Sequence, residues 1–375
     1  MNFVKLRSSR FIRLTVVLGA VAASVGGGSY AIADEEDKDA RITEARTSFA
    51  AAMRERMPDA RRAALAEAAK SFDACLELKF IDEIERHRVM REAGTAHLEL
   101  AKSLWPLEQW NHRYGEDTGI YRPAEAAKHY RRASELFGAV SAYWVEKVGK
   151  LPKTPDEARS KLIAAGLGFA EMMAADSDLG ASWCGLAGSL PTTDDGKKQA
   201  VAQAIETCKR VHDDYPFLAI GAYAGIRGAG VLHSTGDVER ALAICEEVNG
   251  GIDNILSASQ RTVSDLRARV CHQLMLCWRD KKIAKPERAI EIGEDWLAAE
   301  DEEEKTKAAW EPQIRAQLAY AYFVRWASST DRESQENDET AARKHILWLE
   351  ERKLVHPLAR MALQAFERGP RASDK

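Results

Sequence analysis

The sequence lacks the short motifs that mark the common classes of catalytic and cofactor site. It contains no HExxH zinc motif, no GxSxG nucleophile turn and no phosphate-binding loop ending in GKS or GKT. Cysteines at CxxC or CxxCH spacing are also absent, so a thioredoxin-type redox site and a c-type haem find no support. The sequence therefore predicts a protein that is not an enzyme and holds no cofactor.

A complete calcium-binding loop is lacking as well, although one segment begins like one. Residues 176–180 have the sequence DSDLG, with carboxylates at the first and third positions of such a loop. Its twelfth position is Ala187, where an EF-hand requires a bidentate glutamate. We therefore predict a loop that leads into a helix here, and no metal site.

The chain has no excess of positive charge. It carries 54 basic and 58 acidic residues, for a net charge of −4. Residues 1–33 hold four basic and no acidic residues, so the remainder has 50 basic and 58 acidic residues and a net charge of −8. Binding to nucleic acid depends on clustered Lys and Arg that displace counterions. We therefore expect no nucleic-acid partner.

The N-terminal segment has the three-part pattern of a secretory signal peptide. Basic residues from Lys5 to Arg13 precede an apolar run, Leu14 to Val25, and small residues stand at Ala31 and Ala33. The run is shorter than the about 20 apolar residues of a membrane span. We predict cleavage after Ala33 and export to the periplasm or the medium, with a retained anchor as the alternative. The mature chain then has no membrane span.

The rest of the chain lacks the alternation of apolar and polar residues that is typical of strands. Apolar residues instead recur at spacings of three and four, as in Val201, Ala204, Ile205, Cys208 and Val211, which places them on one side of a helix. We predict an all-α protein. The predicted helices cover residues 39–57, 59–79, 81–105, 122–148, 156–175, 197–213, 217–234, 237–249, 257–281, 286–300, 303–328, 336–354 and 357–368.

A weak repeat occurs within this helical pattern. Several predicted helices begin with a turn or capping residue, continue with polar residues and then have an alanine at a position where two helices approach closely. These alanines are Ala127, Ala200, Ala241, Ala289 and Ala341. Their spacings of 73, 41, 48 and 52 residues are longer and less regular than the 34-residue tetratricopeptide period.

The repeat is clearest over residues 221–250. Ala229 and Leu232 occupy the small and bulky positions of a first helix, Gly236 and Asp237 form a turn, and Ala241 and Cys245 follow on a second helix. This unit resembles the tetratricopeptide family. The resemblance implies an α-solenoid of antiparallel helix pairs, wound as a right-handed superhelix whose concave groove binds peptides or helices. The groove-lining residues of the family are not recognisable here, so none is assigned.

Six cysteines leave two interpretations open. An oxidising compartment permits disulfides, and six cysteines allow 15 pairings. However, Cys75, Cys208 and Cys245 lie on the apolar stripes of their helices. Buried free cysteine behaves as a small apolar residue, and we prefer that interpretation.

A candidate binding site lies in the long connection between two predicted helices, residues 105–121. It is rich in aromatic residues, and such rings can anchor a partner or stack on a sugar. The alternative is that they pack back onto the helices and fix the connection in place. The candidate binding residues are Trp105, Trp110, His112, Tyr114 and Tyr121.

These observations divide the chain into a signal peptide at 1–33, an acidic linker at 34–40, a tetratricopeptide-like domain at 41–368 and a disordered tail at 369–375. The leading hypothesis is a scaffold for protein partners in the cell envelope. The alternative is a periplasmic module that binds a glycan or small solute through the aromatic connection. A helical hydrolase with scattered carboxylates stays open, since fold does not fix function.

Overall fold

The structure is a computed structural model that describes residues 29–80, 82–105, 122–256, 258–300, 302–354 and 356–368, with side chains from residue 37 onward. Over these ranges the chain forms thirteen α-helices and one short 3-10 turn, Ile252–Asn254, and no strand. The helices are α1 Ser29–Arg54, α2 Pro58–Leu76, α3 Glu83–Leu104, α4 Pro123–Val148, α5 Pro155–Ser189, α6 Asp195–Asp214, α7 Ala219–Ser234, α8 Val238–Gly251, α9 Gln260–Arg279, α10 Pro286–Ala298, α11 Glu304–Ser328, α12 Arg332–Glu351 and α13 Pro357–Arg368.

The predicted all-α fold is confirmed, and the predicted helices match the observed ones in number and order. Most bounds agree because capping residues and prolines at first helical positions are local signals. Asp82, Asp194, Ser259 and Asp331 each accept a hydrogen bond from a backbone N–H of the first turn. Helices α2, α4, α5, α10 and α13 begin at a proline, where the missing N–H costs nothing.

The prediction of a loop at residues 176–180 was wrong. These residues lie inside α5, which continues to Ser189. The helix bends earlier, at Gly166, whose φ of 50° and ψ of −120° are not helical. Asp176 stands in mid-helix because side chains from two neighbouring helices satisfy its carboxylate, as described below.

At the start of the chain, α1 extends back to Ser29 and so includes residues 34–40. The predicted signal peptide, except for its last five residues, and the predicted tail at 369–375 lie outside the described residues. Among the helices that are described, none is both long and apolar enough to cross a membrane.

The helices form a stack of two layers. Each helix packs against the next in sequence, and the short connections reverse the chain direction. In addition, each odd-numbered helix from α1 to α11 contacts the next odd-numbered helix, the last of these contacts being α11 with α13. No even-numbered pair packs comparably in the described chain. Elements of a curved stack approach more closely on its concave side. The odd-numbered helices therefore form the inner layer and the even-numbered helices the outer layer of an α-solenoid.

Small residues allow the layers to approach. Ala241, which the repeat placed at a helix crossing, is fully buried. On α7, a Cβ at Gly225 would lie 2.9 Å from Val248, and one at Gly228 would lie 3.0 Å from the Cβ of Cys208. These contacts leave no room for a side chain, so α7 packs closely against both α6 and α8.

Candidate functional site: a pocket on the inner layer

The structure describes only one of the five residues predicted to bind a ligand or partner. Trp105 follows the last residue of α3 and is half-buried, and its carbonyl accepts a hydrogen bond from the Tyr130 hydroxyl at 2.7 Å. Trp110, His112, Tyr114 and Tyr121 lie outside the described residues. Their role in binding stays a prediction.

The two ends of this connection meet. The backbone N–H of Arg122 donates to the carbonyl of Leu104 at 3.1 Å. The connection at residues 105–121 therefore starts and ends at one place, where α3 of the inner layer meets α4 of the outer layer.

A pocket that the sequence analysis missed lies on the inner layer between α7, α9 and α11. Its volume is about 290 Å³. Three adjacent inner-layer helices supply its walls, each near its N-terminal end. We call it the inner-layer pocket. Its lining residues are Tyr223, Arg261, Thr262, Asp265, Lys305, Thr306, Ala309 and Trp310.

Asp265 organises the pocket. Its carboxylate accepts hydrogen bonds from the Tyr223 hydroxyl at 2.8 Å, from Arg269 Nε at 2.8 Å and from Trp310 Nε1 at 3.0 Å. Burial alone raises the pKa of Asp265, but the hydrogen bonds and charge of Arg269 and the two aromatic donors outweigh it and lower the pKa. Asp265 is therefore an ionised acceptor with three donors, which suits positioning rather than proton transfer.

The aromatic rings of the pocket hold a guanidinium between them. Arg269 lies 5.7 Å from the ring centre of Tyr223 and 5.0 Å from that of Trp310. A cation near the face of an aromatic ring is stabilised by the ring quadrupole. Together with Asp265, this contact fixes the orientation of both rings before any ligand arrives.

Two exposed cations, Arg261 and Lys305, stand at the rim. The nearby Glu303 carboxylate accepts hydrogen bonds from the backbone and hydroxyl of Thr306, both at 2.8 Å, and so caps α11. These bonds, the backbone N–H of Lys305 and the charge of Arg261 lower the pKa of Glu303. The rim therefore presents two cations beside a carboxylate.

Polar contacts continue along the inner layer on both sides of the pocket. Each connects one inner-layer helix to the next, so the concave side of the stack is joined by polar groups as well as by apolar packing. The contacts are Arg46 with Glu92, Arg91 with Glu171, Arg227 with Ser177, Tyr223 with Asp265, and Gln317 with His272.

A second buried carboxylate is structural. Asp176 of α5 is fully buried and accepts hydrogen bonds from Ser141 of α4 at 2.6 Å and from Arg210 of α6 at 2.7 Å. The Tyr215 hydroxyl donates a third at 2.7 Å. These three hydrogen bonds satisfy both oxygens of the carboxylate. Asp176 therefore joins three consecutive helices, α4, α5 and α6. In the described part of the chain, no group of three His, Cys, Asp or Glu side chains is arranged to hold a metal ion.

Comparison with known proteins identifies neither a family nor a function for this chain. No protein-family model matches the chain, and no curated protein sequence matches it. Among solved structures, the chain is similar to the S. pombe nuclear import adaptor Nro1, with a TM-score of 0.39 and 12% identity over 88% of this chain and 99% of that chain. A likeness at this level carries no argument about function. The fold assignment rests on the packing of the helices.

Proposed function

We propose that this protein is an exported helical-repeat scaffold that binds protein partners in the cell envelope through its inner layer. The observation that carries the proposal is the inner-layer pocket, with its oriented Tyr223 and Trp310 rings and its two exposed rim cations. We further infer that the stack is tetratricopeptide-like and right-handed, on the strength of the unit at residues 221–250. Export is proposed from the basic, apolar and small-residue pattern of residues 1–33.

The composition of the pocket supports protein binding. Tyrosine, tryptophan and arginine are the residues that most often dominate the free energy of protein–protein binding. In this pocket they are held by Asp265, so that a partner meets rings already in place and loses less conformational freedom on binding. An acidic partner segment would also gain from Arg261 and Lys305, since opposite charge steers association.

Binding of a small ligand is the second candidate. The volume of about 290 Å³ lies just below the range for small-molecule sites, about 300–1,000 Å³. Aromatic walls with convergent polar groups are typical of such sites. The connection at residues 105–121 belongs to this second candidate as well as to the first, because its aromatics suit a sugar or a partner equally.

Affinity capture from envelope extract, with the mature chain as bait, tests the proposal. The double variant Arg261→Ala with Lys305→Ala removes the rim cations without touching the packed wall. The matched control is Lys198→Ala with Arg332→Ala, which removes two exposed cations from the outer layer. We expect the rim variant to lose a defined set of captured proteins that the wild type and the control retain.

The opposite outcomes are distinct. Capture of the same proteins by the rim variant and the control would overturn the role of the pocket. A small molecule retained by the wild type in native mass spectrometry, and lost by the rim variant, would favour the second candidate over the first.

A further inference from the structure

Two of the six cysteines have adjacent thiols. Cys184 of α5 and Cys208 of α6 have their sulfur atoms 3.6 Å apart. The other four, Cys75, Cys245, Cys271 and Cys277, are buried free thiols.

This pair meets the condition for a disulfide, which is that the two side chains already face each other across neighbouring backbone segments. The two cysteines stand on consecutive, packed helices. Their thiols are already in contact, so bond formation requires adjustment of side chains and no rearrangement of the stack.

We propose that Cys184 and Cys208 are a disulfide site that closes on exposure to an oxidising compartment. The oxidant is a small disulfide of the glutathione type. One thiol of the pair loses its proton, and its thiolate attacks the oxidant, forming a mixed disulfide and releasing one reduced thiol. The second thiolate of the pair then displaces the other reduced thiol. The pair thus gives two electrons and two protons to the oxidant.

The contact of the two thiols favours this exchange. The hydrogen bond from Cys184 lowers the pKa of Cys208. Cys208 also lines a cavity of about 220 Å³ between α6, α7 and α8. This cavity gives a small oxidant a route to the pair.

The position of the site suggests its effect. It lies between α5 and α6, and both helices pack against α7. Helix α7 carries Tyr223 of the inner-layer pocket and contains four glycines, Gly221, Gly225, Gly228 and Gly230, each of which lowers helix stability. The cross-link fixes two helices that pack against α7 and so restrains the wall of the pocket. The oxidising compartment rests on the proposed export, whereas the pairing rests on the distance between the two sulfur atoms.

Peptide mapping under non-reducing conditions tests the pairing. The folded full chain is incubated with glutathione disulfide, free thiols are alkylated after unfolding, and the peptides are identified by mass spectrometry. We expect a cross-linked peptide that joins 184 to 208, with Cys75 and Cys271 alkylated. Cys184→Ser should remove the link. Cys75→Ser, which changes a buried cysteine without a partner thiol, should leave it.

Alkylation of both Cys184 and Cys208 after incubation with glutathione disulfide, or a link from either one to another cysteine, would overturn the inference whether or not the variants fold. Protein recovered from cells separates this inference from the proposed function. A link that forms in the purified chain while the protein in cells stays inside the cytoplasm would support the pairing and contradict export. An exported protein that keeps six thiols would support export and contradict the pairing.

Discussion

Asp265 and Trp310 are 45 residues apart in sequence, and the Trp310 indole donates a hydrogen bond to the Asp265 carboxylate at 3.0 Å. The bond joins α9 to α11, two helices of the inner layer that are separated along the chain by α10. It fixes one wall of the inner-layer pocket. The same carboxylate holds Tyr223 of α7, so a single side chain sets the relative position of three inner-layer helices.

Loss of Asp265 should therefore destabilise the stack. Asp265→Ala leaves Arg269 without its carboxylate between two rings and removes the acceptor of two aromatic donors. Because the group is partly exposed, we expect a cost of about 2 kcal/mol, less than that of a fully buried pair. Urea denaturation measures it. The control is Asp253→Ala, which removes a largely exposed carboxylate of the 3-10 turn that is paired with Arg267 of α9. This variant should cost under about 0.5 kcal/mol. Equal costs for both variants would contradict the role assigned to Asp265.

A large side chain at Ala241 should also destabilise the protein. Ala241 is fully buried at the crossing of α8 with its neighbours, so Ala241→Trp overpacks the core and should cost about 3 kcal/mol or more. Ala243→Trp changes an exposed residue of the same helix and serves as the control. A denaturation midpoint for Ala241→Trp equal to that of wild type would show that this alanine is not at a close crossing.

Stability should fall as the pH is lowered from about 7 to about 5. Burial lowers the pKa of His272 to about 3 and that of His356 to about 4, whereas unfolding returns each to about 6.5. Between these values the unfolded chain binds more protons than the folded one. The stabilisation is therefore fully present above about pH 6.5 and is lost as the pH falls, at about 1.4 kcal/mol per pH unit for each histidine.

Urea denaturation at several pH values measures this slope. His272→Gln removes one titrating group, so its slope between about pH 6 and 5 should be smaller by the contribution of one proton. Carboxylates with lowered pKa values, such as Asp265, contribute to the pH dependence of stability mainly below about pH 5. An identical slope in wild type and His272→Gln would show that His272 is not held neutral by burial.

The aromatic connection at residues 105–121 should contribute to binding. The double variant Trp110→Ala with Tyr114→Ala distinguishes the two interpretations of its rings. If they contact a partner, the variant keeps the melting temperature of wild type and loses captured proteins. If they pack onto the stack, the variant melts earlier. Unchanged melting with an unchanged set of captured proteins would remove this connection from consideration.

Cleavage after Ala33 is the expected result of export. N-terminal sequencing of the protein from the exported fraction should begin at Asp34. Recovery of a chain that still begins at Met1 in the membrane fraction would show that the segment is retained as an anchor.

Local periodicity was enough to place most of the helices. Apolar residues at spacings of three and four define the face that each helix buries, and capping residues define its start, so both signals lie within about 20 residues of sequence. The repeat alanine Ala241 and the burial of Cys75, Cys208 and Cys245 follow from the same pattern, and all four are buried. Residues 176–180 were misjudged because the donors that satisfy Asp176 stand on α4 and α6.

The sequence by itself determined a helical stack, because an amphipathic helix must bury one face against a neighbour. It did not determine which polar residues meet. Tyr223, Asp265 and Trp310 are separated by 42 and 45 residues, and no fixed spacing marks them because the repeat length varies. Only the packing of odd-numbered helices into one layer brought them together. The packing of α5 against α6 likewise placed the thiol of Cys184 beside that of Cys208. Contacts between elements depend on how the helices cross, and the tertiary structure alone decides that.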